Sequence, residues 1–333
     1  MLTSEVLPVP PLTIFSASVL PCAKPTGDQI LNKKNLGFSF GILAGITWGT
    51  NGTFCLLLSN YGLSTLNVAI LAPLSNLIFF SLMLLSSGRR RFIIGSKTLL
   101  ILMADGMAAV LANIAFVKSV TYFPVGIVSA LAFCNVFVLM IVSRVVFKIR
   151  ITPRKIVAGL LAVFGVGLVL NVFSQGFALN LTGLFWILLT MLSWAMMVTL
   201  DKYLLESGID GIAMLMYTAL FAVLILSLSS PPWLLIGNIA TIGTRTGGLA
   251  LLAVFGYALI PQVACYFFYI TGLKLCDPSY IQVAYALDPV TAVILGLLIF
   301  RQTLLAIQIL GVLVILAVVC YVQLKGYQEG LQK

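Results

Sequence analysis

Long apolar runs separated by very short connections are the feature of this sequence that most constrains its fold. We count ten runs of about 20 apolar residues, and a run of that length spans a bilayer as a helix. They cover roughly 36–58, 66–86, 98–118, 124–147, 155–173, 182–204, 210–230, 248–272, 278–300 and 303–324. Only 8% of the residues are charged, against about 25% in soluble domains. The sequence therefore predicts an all-α integral membrane protein with ten transmembrane helices.

The first 35 residues have a different character. Five prolines interrupt them, and Glu5 opens the segment. A secretory signal peptide instead has a positively charged start and an unbroken apolar stretch. We therefore predict that residues 1–35 form a disordered cytoplasmic tail.

The basic residues are unevenly distributed between the two sides of the predicted membrane. With a cytoplasmic N-terminus, 16 of the 19 Lys and Arg residues fall in the tail, inner loops and C-terminal end. The outer side keeps only Lys118, Arg245 and Arg301. Basic residues stay on the cytoplasmic side during insertion, so both termini are predicted to be cytoplasmic. Membrane topology therefore accounts for the net charge of +10, which does not indicate a nucleic-acid partner.

The sequence favours neither metal binding nor enzymatic chemistry. Its six cysteines have no metal-ligand spacing, and it contains no histidine, the commonest proton shuttle and metal ligand. It also lacks the G-x-x-x-x-G-K-[ST] loop that binds nucleotide phosphates. We therefore expect no metal, no cofactor and no catalytic residues.

The first and sixth spans can be aligned with a constant offset of 146 residues. The segments are "LGFSFGILAGITWGTNGTF" from Leu36 and "TGLFWILLTMLSWAMMVTL" from Thr182. The alignment pairs Trp48 with Trp194 and also matches a glycine, a leucine and a threonine. Four identities in apolar sequence are weak evidence by themselves.

The fourth and ninth spans provide a second match. "LAFCNVFVLMI" places Asn135, and "YALDPVTAVIL" places Asp288, about half-way across its span. Each unit then has five spans, 36–173 and 182–325, and an odd number inverts the second unit in the membrane. Inverted repeats are typical of transporters, whose substrate sites lie near the bilayer midplane at the repeat interface.

The chain resembles the drug/metabolite transporter superfamily, in particular its ten-helix members with two EamA-type repeats. The resemblance covers about 36–325 and depends on "LAGITWGTNGTF", "LSWAMMVTLDKYL" and "AYALDPVTAVILGLLIFRQTLLAIQILGVLVIL". It implies export or uptake of small metabolites, with amino acids, other amines and related compounds as candidates. Members often carry a glutamate just after the fourth and ninth spans. This chain has basic residues and Gln302 there.

Polar residues inside the first span raise two alternatives. In "GITWGTNGTF", from Gly45 to Phe54, Thr47, Trp48 and Asn51 share one helix face. Glycines at 45, 49 and 52 form a stripe on which another helix can pack closely. The stretch is either a packing seam with Asn51 joining helices, or a cavity wall formed by Trp48 and Asn51 in front of that stripe. The recurrence of tryptophan at 194 favours the cavity.

Asp288 is the strongest candidate among the charged residues. A carboxylate at the centre of a bilayer costs about 2.5–3.5 kcal/mol on insertion scales and indicates a functional site. Pro289 removes the hydrogen bond to the Tyr285 carbonyl, so that carbonyl and Asp288 lie on neighbouring turns. They predict a site for a proton, a cation or a substrate amine, with a structural kink as the alternative. Asp105, nearer the cytoplasmic end of its span, is the second proton-coupling candidate. The alternative is that its side chain only reaches back to the cytoplasmic interface.

Amides and one further aromatic residue complete the candidate substrate site. Asn113 lies about 12 Å beyond Asp105 on the same helix, at 1.5 Å per residue. The full set of substrate-binding candidates is Trp48, Asn51, Asn113, Asn135, Trp194, Gln262, Tyr266, Tyr285 and Asp288. Asn76 is interpreted as structural, and Asp201 with Lys202 and Glu206 as a solvated cluster at the interface.

These features favour a secondary transporter in the plasma membrane that works by alternating access. Its energy would come from a proton gradient or from the gradient of the substrate. A membrane enzyme or lipid-handling protein is the alternative from another class, and a passive channel is a third. The expected partners are a small-molecule substrate and membrane lipid. A monomer is compatible with the sequence, which leaves the oligomeric state open.

The predicted orientation can be tested by cysteine labelling in a background without the six native cysteines. Cysteines introduced at Lys97 and Arg154 should react with an impermeant reagent only from the cytoplasm. A cysteine at Gln175 should react only from outside. An odd number of spans would contradict the inverted repeat.

Overall fold

The structure is a computed structural model that describes residues 27–86, 96–135, 137–138, 141, 153–171, 180–275 and 284–331. Throughout these ranges the regular structure is helical. The helices, in chain order, are α1 (Gly27–Gly49), α2 (Asn51–Asn60), α3 (Thr65–Ser86), α4 (Ser96–Tyr122), α5 (Val125–Phe133), α6 (Pro153–Val169), α7 (Leu181–Glu206), α8 (Gly211–Ser229), α9 (Pro232–Arg245), α10 (Leu249–Tyr257), α11 (Cys265–Leu275), α12 (Leu287–Phe300) and α13 (Ala306–Leu331). A π-helical segment, Ala258–Ala264, joins α10 to α11.

Six helical stretches in the described ranges are long and apolar enough to cross a membrane. They are Asn35–Asn60, Thr65–Leu85, Thr98–Tyr122, Leu181–Leu205, Gly211–Ser229 and Leu249–Gly272. They coincide with the first, second, third, sixth, seventh and eighth predicted spans. The other four predicted spans contain α5, α6, α12 and α13, whose described apolar parts are shorter. Parts of two of these four, the fourth and ninth of the ten predicted spans, lie outside the described residues.

The start of the first helix differs from the sequence expectation. Helix α1 begins at Gly27, so residues 27–35 are helical although they were predicted to belong to the tail. Residues 1–26, the rest of that predicted tail, lie outside the described residues. The apolar pattern marks only the membrane-spanning part of a helix, and a polar extension of the same helix does not show in it.

Helix α9 lies where the sequence predicted a loop. It follows Pro231 and begins with Pro232. Proline suits the start of a helix because its backbone angle is already helical and because an N–H group there would have no partner within the helix. Leu235 and Ile242 are buried, whereas Trp233 is 72% exposed. At 14 residues, α9 is too short to span a bilayer, so a search for apolar runs passes over it.

The helices pack in a pattern that matches the sequence repeat. Equivalent helices of the two units pack against each other, α3 on α8, α5 on α12 and α6 on α13. Helix α1 packs on α11, and their repeat equivalents, α7 and α4, also pack together. Exchanging the two units therefore leaves this set of contacts unchanged, as a pseudo-two-fold axis between them requires.

Glycines allow the closest of these contacts. A Cβ atom on Gly49 would lie 2.6 Å from the carbonyl oxygen of Asp288, and one on Gly45 would lie 3.0 Å from the Tyr285 carbonyl oxygen. A Cβ on Gly311 of α13 would lie 2.7 Å from the carbonyl oxygen of Gly165 on α6. Backbones approach at these points to distances that side chains would prevent.

Gln302 links the end of α12 to the start of α5. Its side-chain oxygen accepts a hydrogen bond from the backbone N–H of Val125 at 3.0 Å, and its own N–H donates to Gly296 at 3.0 Å. The first N–H groups of a helix have no partner within the helix, so this side chain satisfies one of them. In this chain an amide therefore performs a structural role just after the ninth predicted span.

Replacing Gly49 with alanine should destabilise the protein, because the added methyl group meets backbone atoms that cannot move aside. Overpacking of this kind typically costs about 1–3 kcal/mol. Gly237→Ala in α9 is the matched control, because no atom lies within 4 Å of its added Cβ and alanine favours helices. Thermal unfolding of the purified variants measures the effect. Equal melting temperatures for the two variants would contradict the close contact.

Candidate functional site

The site begins at a break in the first transmembrane stretch. Helix α1 ends at Gly49 and α2 begins at Asn51, with Thr50 between them. The Thr50 hydroxyl donates to the carbonyl oxygen of Thr47 at 2.7 Å, and the Thr47 hydroxyl donates to that of Leu43 at 2.7 Å. These local bonds satisfy both hydroxyl groups on their own helix. Trp48 and Asn51 face a cavity on one side of the break.

The cavity has a volume of about 90 Å³ and lies between the two units. Helices α1 to α4 supply one part of its wall, and α7, α8, the π-helical segment and α11 supply the other. The lining residues are Trp48, Asn51, Ala72, Pro73, Asn76, Phe80, Ala109, Ala112, Asn113, Phe116, Trp194, Met197, Leu215, Thr218, Ala219, Ala222, Gln262 and Tyr266. Within this described lining there is no Lys, Arg, Asp or Glu.

Aromatic rings form a connected part of the wall. The rings of Trp48 and Trp194, which the sequence repeat pairs, lie 6.4 Å apart. Tyr266 meets Trp48 edge-on at 6.3 Å, and Phe116 lies 5.7 Å from Trp194. Tilted and edge-on contacts at these separations are favourable, and they hold the rings in fixed orientations.

Amide groups form a second part of the wall. Asn76 donates to the side-chain oxygen of Gln262 at 3.4 Å, and Gln262 donates to that of Asn51 at 3.2 Å. Gln262, only 2% exposed, lies in the π-helical segment directly after Pro261. Proline cannot continue the helical hydrogen bonding, and π-helical turns often occur at functional sites. The Asn76 oxygen is buried and has no hydrogen-bond partner within the described part of the chain.

Six of the nine predicted substrate-binding residues line the cavity: Trp48, Asn51, Asn113, Trp194, Gln262 and Tyr266. Asn113 donates to the carbonyl oxygen of Ala109 at 2.8 Å. Asn76, interpreted from the sequence as structural, lines the cavity and also donates a hydrogen bond to Gln262.

The remaining three predicted substrate-binding residues are not part of the lining. The ring of Tyr285 lies 6.4 Å from that of Trp48, and its backbone carbonyl faces Gly45. Asp288 is 6% exposed and accepts a hydrogen bond from Ser129 at 2.8 Å. Asn135 is partly buried and lies two residues beyond the end of α5. The carbonyl freed by Pro289 thus lies against a neighbouring helix.

Asp105 lies one helical turn from the cavity residue Ala109 and is 0% exposed. Thr218, which is a lining residue, donates its hydroxyl hydrogen to one of the carboxylate oxygens of Asp105. The carboxyl group of Asp105 also lies within hydrogen-bonding reach of that of Asp201 of α7. Sequence reasoning placed Asp201 in a solvated cluster. The similar depth of both acids at the predicted cytoplasmic end was the signal that could have paired them.

Comparison with known proteins identifies the class and then the family. The apolar helices define a multi-pass membrane protein, and the family model described as "EamA-like transporter family" matches residues 35–171 and 181–323. The chain belongs to this family, with two copies of its repeat. The match confirms the predicted resemblance to EamA-type members of the drug/metabolite transporter superfamily.

A solved structure titled "Crystal structure of protein" has a similar fold. Its TM-score is 0.57 at 14% sequence identity, and the match covers 88% of this chain and 98% of that one. At this identity the similarity concerns the fold alone. Among curated proteins no sequence matches the chain significantly.

Trp48→Ala and Trp194→Ala should each weaken the apparent affinity for the transported substrate by about two- to tenfold. This range follows from about 0.5–1.5 kcal/mol per aromatic contact. Trp233→Ala is the matched control, because this ring is exposed on α9 away from the cavity. Concentration-dependent transport measures the effect. If the cavity variants only lower the melting temperature and transport normally, the two tryptophans are packing residues.

Proposed function

We propose that this protein is a secondary carrier for a small organic metabolite. Alternating access would occur between two inverted five-helix units that make up ten transmembrane helices. The observation that carries this proposal is the cavity between the two units, where the repeat-equivalent Trp48 and Trp194 meet. A site shared by both halves changes its accessibility when one half rocks against the other.

The chemistry of the wall supports an amino acid or a related compound as substrate. Aromatic rings offer flat apolar surface, and the amides of Asn51, Asn113 and Gln262 offer both donors and acceptors. A multiply charged anion fits poorly, since the described lining holds no cationic side chain to compensate its charge. The size of the cavity also favours a small molecule.

The carrier would use a proton gradient or the gradient of the substrate itself. Asp288 and Asp105 remain the two coupling candidates, since both carboxyl groups are buried among transmembrane helices. Asp288 is not part of the cavity lining, and its carboxyl group bonds to Ser129 of α5 instead. Asp105 connects to the cavity through the hydroxyl of Thr218. Because Asp105 bonds directly to a residue of the cavity lining and Asp288 does not, we favour Asp105 as the coupling residue.

The distribution of basic residues supports an orientation with both termini in the cytoplasm. With 16 of 19 basic residues on that side, the positive-inside rule favours insertion in one direction. We propose the plasma membrane as its location, with a small-molecule substrate and surrounding lipid as its partners.

Counterflow in proteoliposomes tests the carrier mechanism directly. A thermal-shift screen against a metabolite library first identifies a ligand, because a ligand at 100 times its Kd stabilises the folded protein by about 2.7 kcal/mol. Vesicles loaded with this ligand unlabelled should then transiently accumulate the labelled form. Protein-free vesicles are the control. Equilibration without a transient overshoot would indicate a channel and contradict the proposal.

A further inference from the structure

Two carboxyl groups from neighbouring helices meet beside the cavity. Asp105 of α4 is completely buried, and its carboxyl group lies within hydrogen-bonding reach of that of Asp201 of α7. Helices α4 and α7 pack closely along their length, so the two acids are held together by the fold. Asp105 also lies one turn from Ala109, which lines the cavity.

The contact between these two acids requires a proton. The Oδ1 atoms of Asp105 and Asp201 are both buried, and neither accepts a hydrogen bond within the described residues. Ionised carboxylates have no donor, and like charges this close disfavour ionisation of both groups. One proton gives one acid an O–H group that donates to the carboxylate of the other. The pair then carries a single negative charge.

Thr218 of α8 ties this pair to the cavity wall. Thr218 lines the cavity, and its hydroxyl donates to Oδ2 of Asp105, whose other oxygen, Oδ1, is unpartnered within the described residues. Helix α8 approaches α4 closely here, because a Cβ on Gly106 would lie 3.2 Å from the Thr218 carbonyl oxygen. A change in the cavity at Thr218 therefore acts directly on the hydrogen bonding of Asp105.

Among the described residues around the two acids there is no nearby cationic side chain that could neutralise them. Helix α8 also supplies the phenol of Tyr217, and α11 supplies that of Tyr266. The described parts of α2, α3 and α5 carry no Lys, Arg, Asp or Glu. Helix α4 carries two lysines: Lys118 is 13 positions from Asp105, about 20 Å along the helix, and Lys97 is eight positions away, about 12 Å. The side chains of Lys97 and Lys202 lie outside the described set.

We propose that Asp105 and Asp201 bind one shared proton and that this pair is the proton-binding site of the carrier, linked to the cavity by Thr218. Loss of the proton leaves two adjacent carboxylates, which repel each other and separate α4 from α7. Binding of the proton draws the two helices together. The role of the pair in transport rests on the proposed function. The shared proton does not, since the protein would hold it without substrate.

Infrared spectroscopy of the purified protein in lipid tests the shared proton without a known substrate. A protonated carboxyl group has a C=O stretching band separate from that of a carboxylate and shifted in deuterium oxide. At neutral pH the wild type should contain a band that Asp105→Asn and Asp201→Asn each abolish. The double variant should lose no more intensity than either single variant. Any band from Asp288 is common to all four proteins and cancels in the differences.

Thr218→Val provides an independent readout that retains both acids. The band should persist but shift in frequency, because the carboxyl group has lost a hydrogen bond. Thr190→Val is the matched control, since the buried Thr190 hydroxyl donates only to the Trp186 carbonyl of its own helix at 2.9 Å. It should leave the band in place. If the Asn variants do not elute as folded protein, this comparison decides the test.

Three results would overturn the proposal. A band unchanged in both Asn variants would show that the pair holds no proton, and additive losses in the double variant would show two independent acids. A wild-type band that disappears on addition of sodium chloride at constant pH would assign the pair to sodium. A negative result here leaves counterflow unaffected, so failure of this inference can be distinguished from failure of the carrier function.

Discussion

The absence of hydrogen-bond partners in lipid determines where polar side chains can lie in this protein. Many hydroxyl groups bond to a carbonyl of their own helix, as Thr190 and Thr199 do. The polar residues that bond across helices instead join the two units. Examples are Gln262 with Asn51 and Asn76, Asp288 with Ser129, Asp105 with Thr218, Asn67 with Ser230, and Gln302 with the backbone of Val125. The seam between the units is therefore the polar part of an otherwise apolar protein.

This seam is also where relative movement of the two units would have to occur. Buried hydrogen bonds are costly to leave unmade, so such a seam favours a few discrete arrangements over continuous sliding. Close glycine contacts add to the effect, since the backbone at Gly49 lies closely against that of Asp288. At Gly165 and Gly311 the packing of α6 on α13 is similarly close. The cavity lies at a part of the seam where side chains of the two units face each other, away from the close backbone contacts.

Some of this could be predicted from sequence, and the reasons are physical. A repeat offset of 146 residues paired Trp48 with Trp194, and a pseudo-two-fold axis brings such equivalents together at the centre. Apolar runs located the long helices. They did not show which face of a helix turns inward, so Asp288 and Tyr285 were expected at the cavity although neither residue lines it. Nor do single-helix patterns show pairs between helices, and Asp201 was therefore missed. Helix α9 is too short for the apolar criterion.

The positions of the acids follow from the same balance of burial and charge. A carboxylate in the cavity wall would have to be desolvated in every state in which the cavity is closed or holds an apolar group. One turn behind the wall, Asp105 instead meets a fixed set of partners, Thr218 on one side and Asp201 on the other. In a medium of low dielectric constant its charge is still felt across such a short distance. The wall can therefore remain neutral and aromatic, suited to an organic molecule, while the electrostatic field inside it depends on the acid pair behind it.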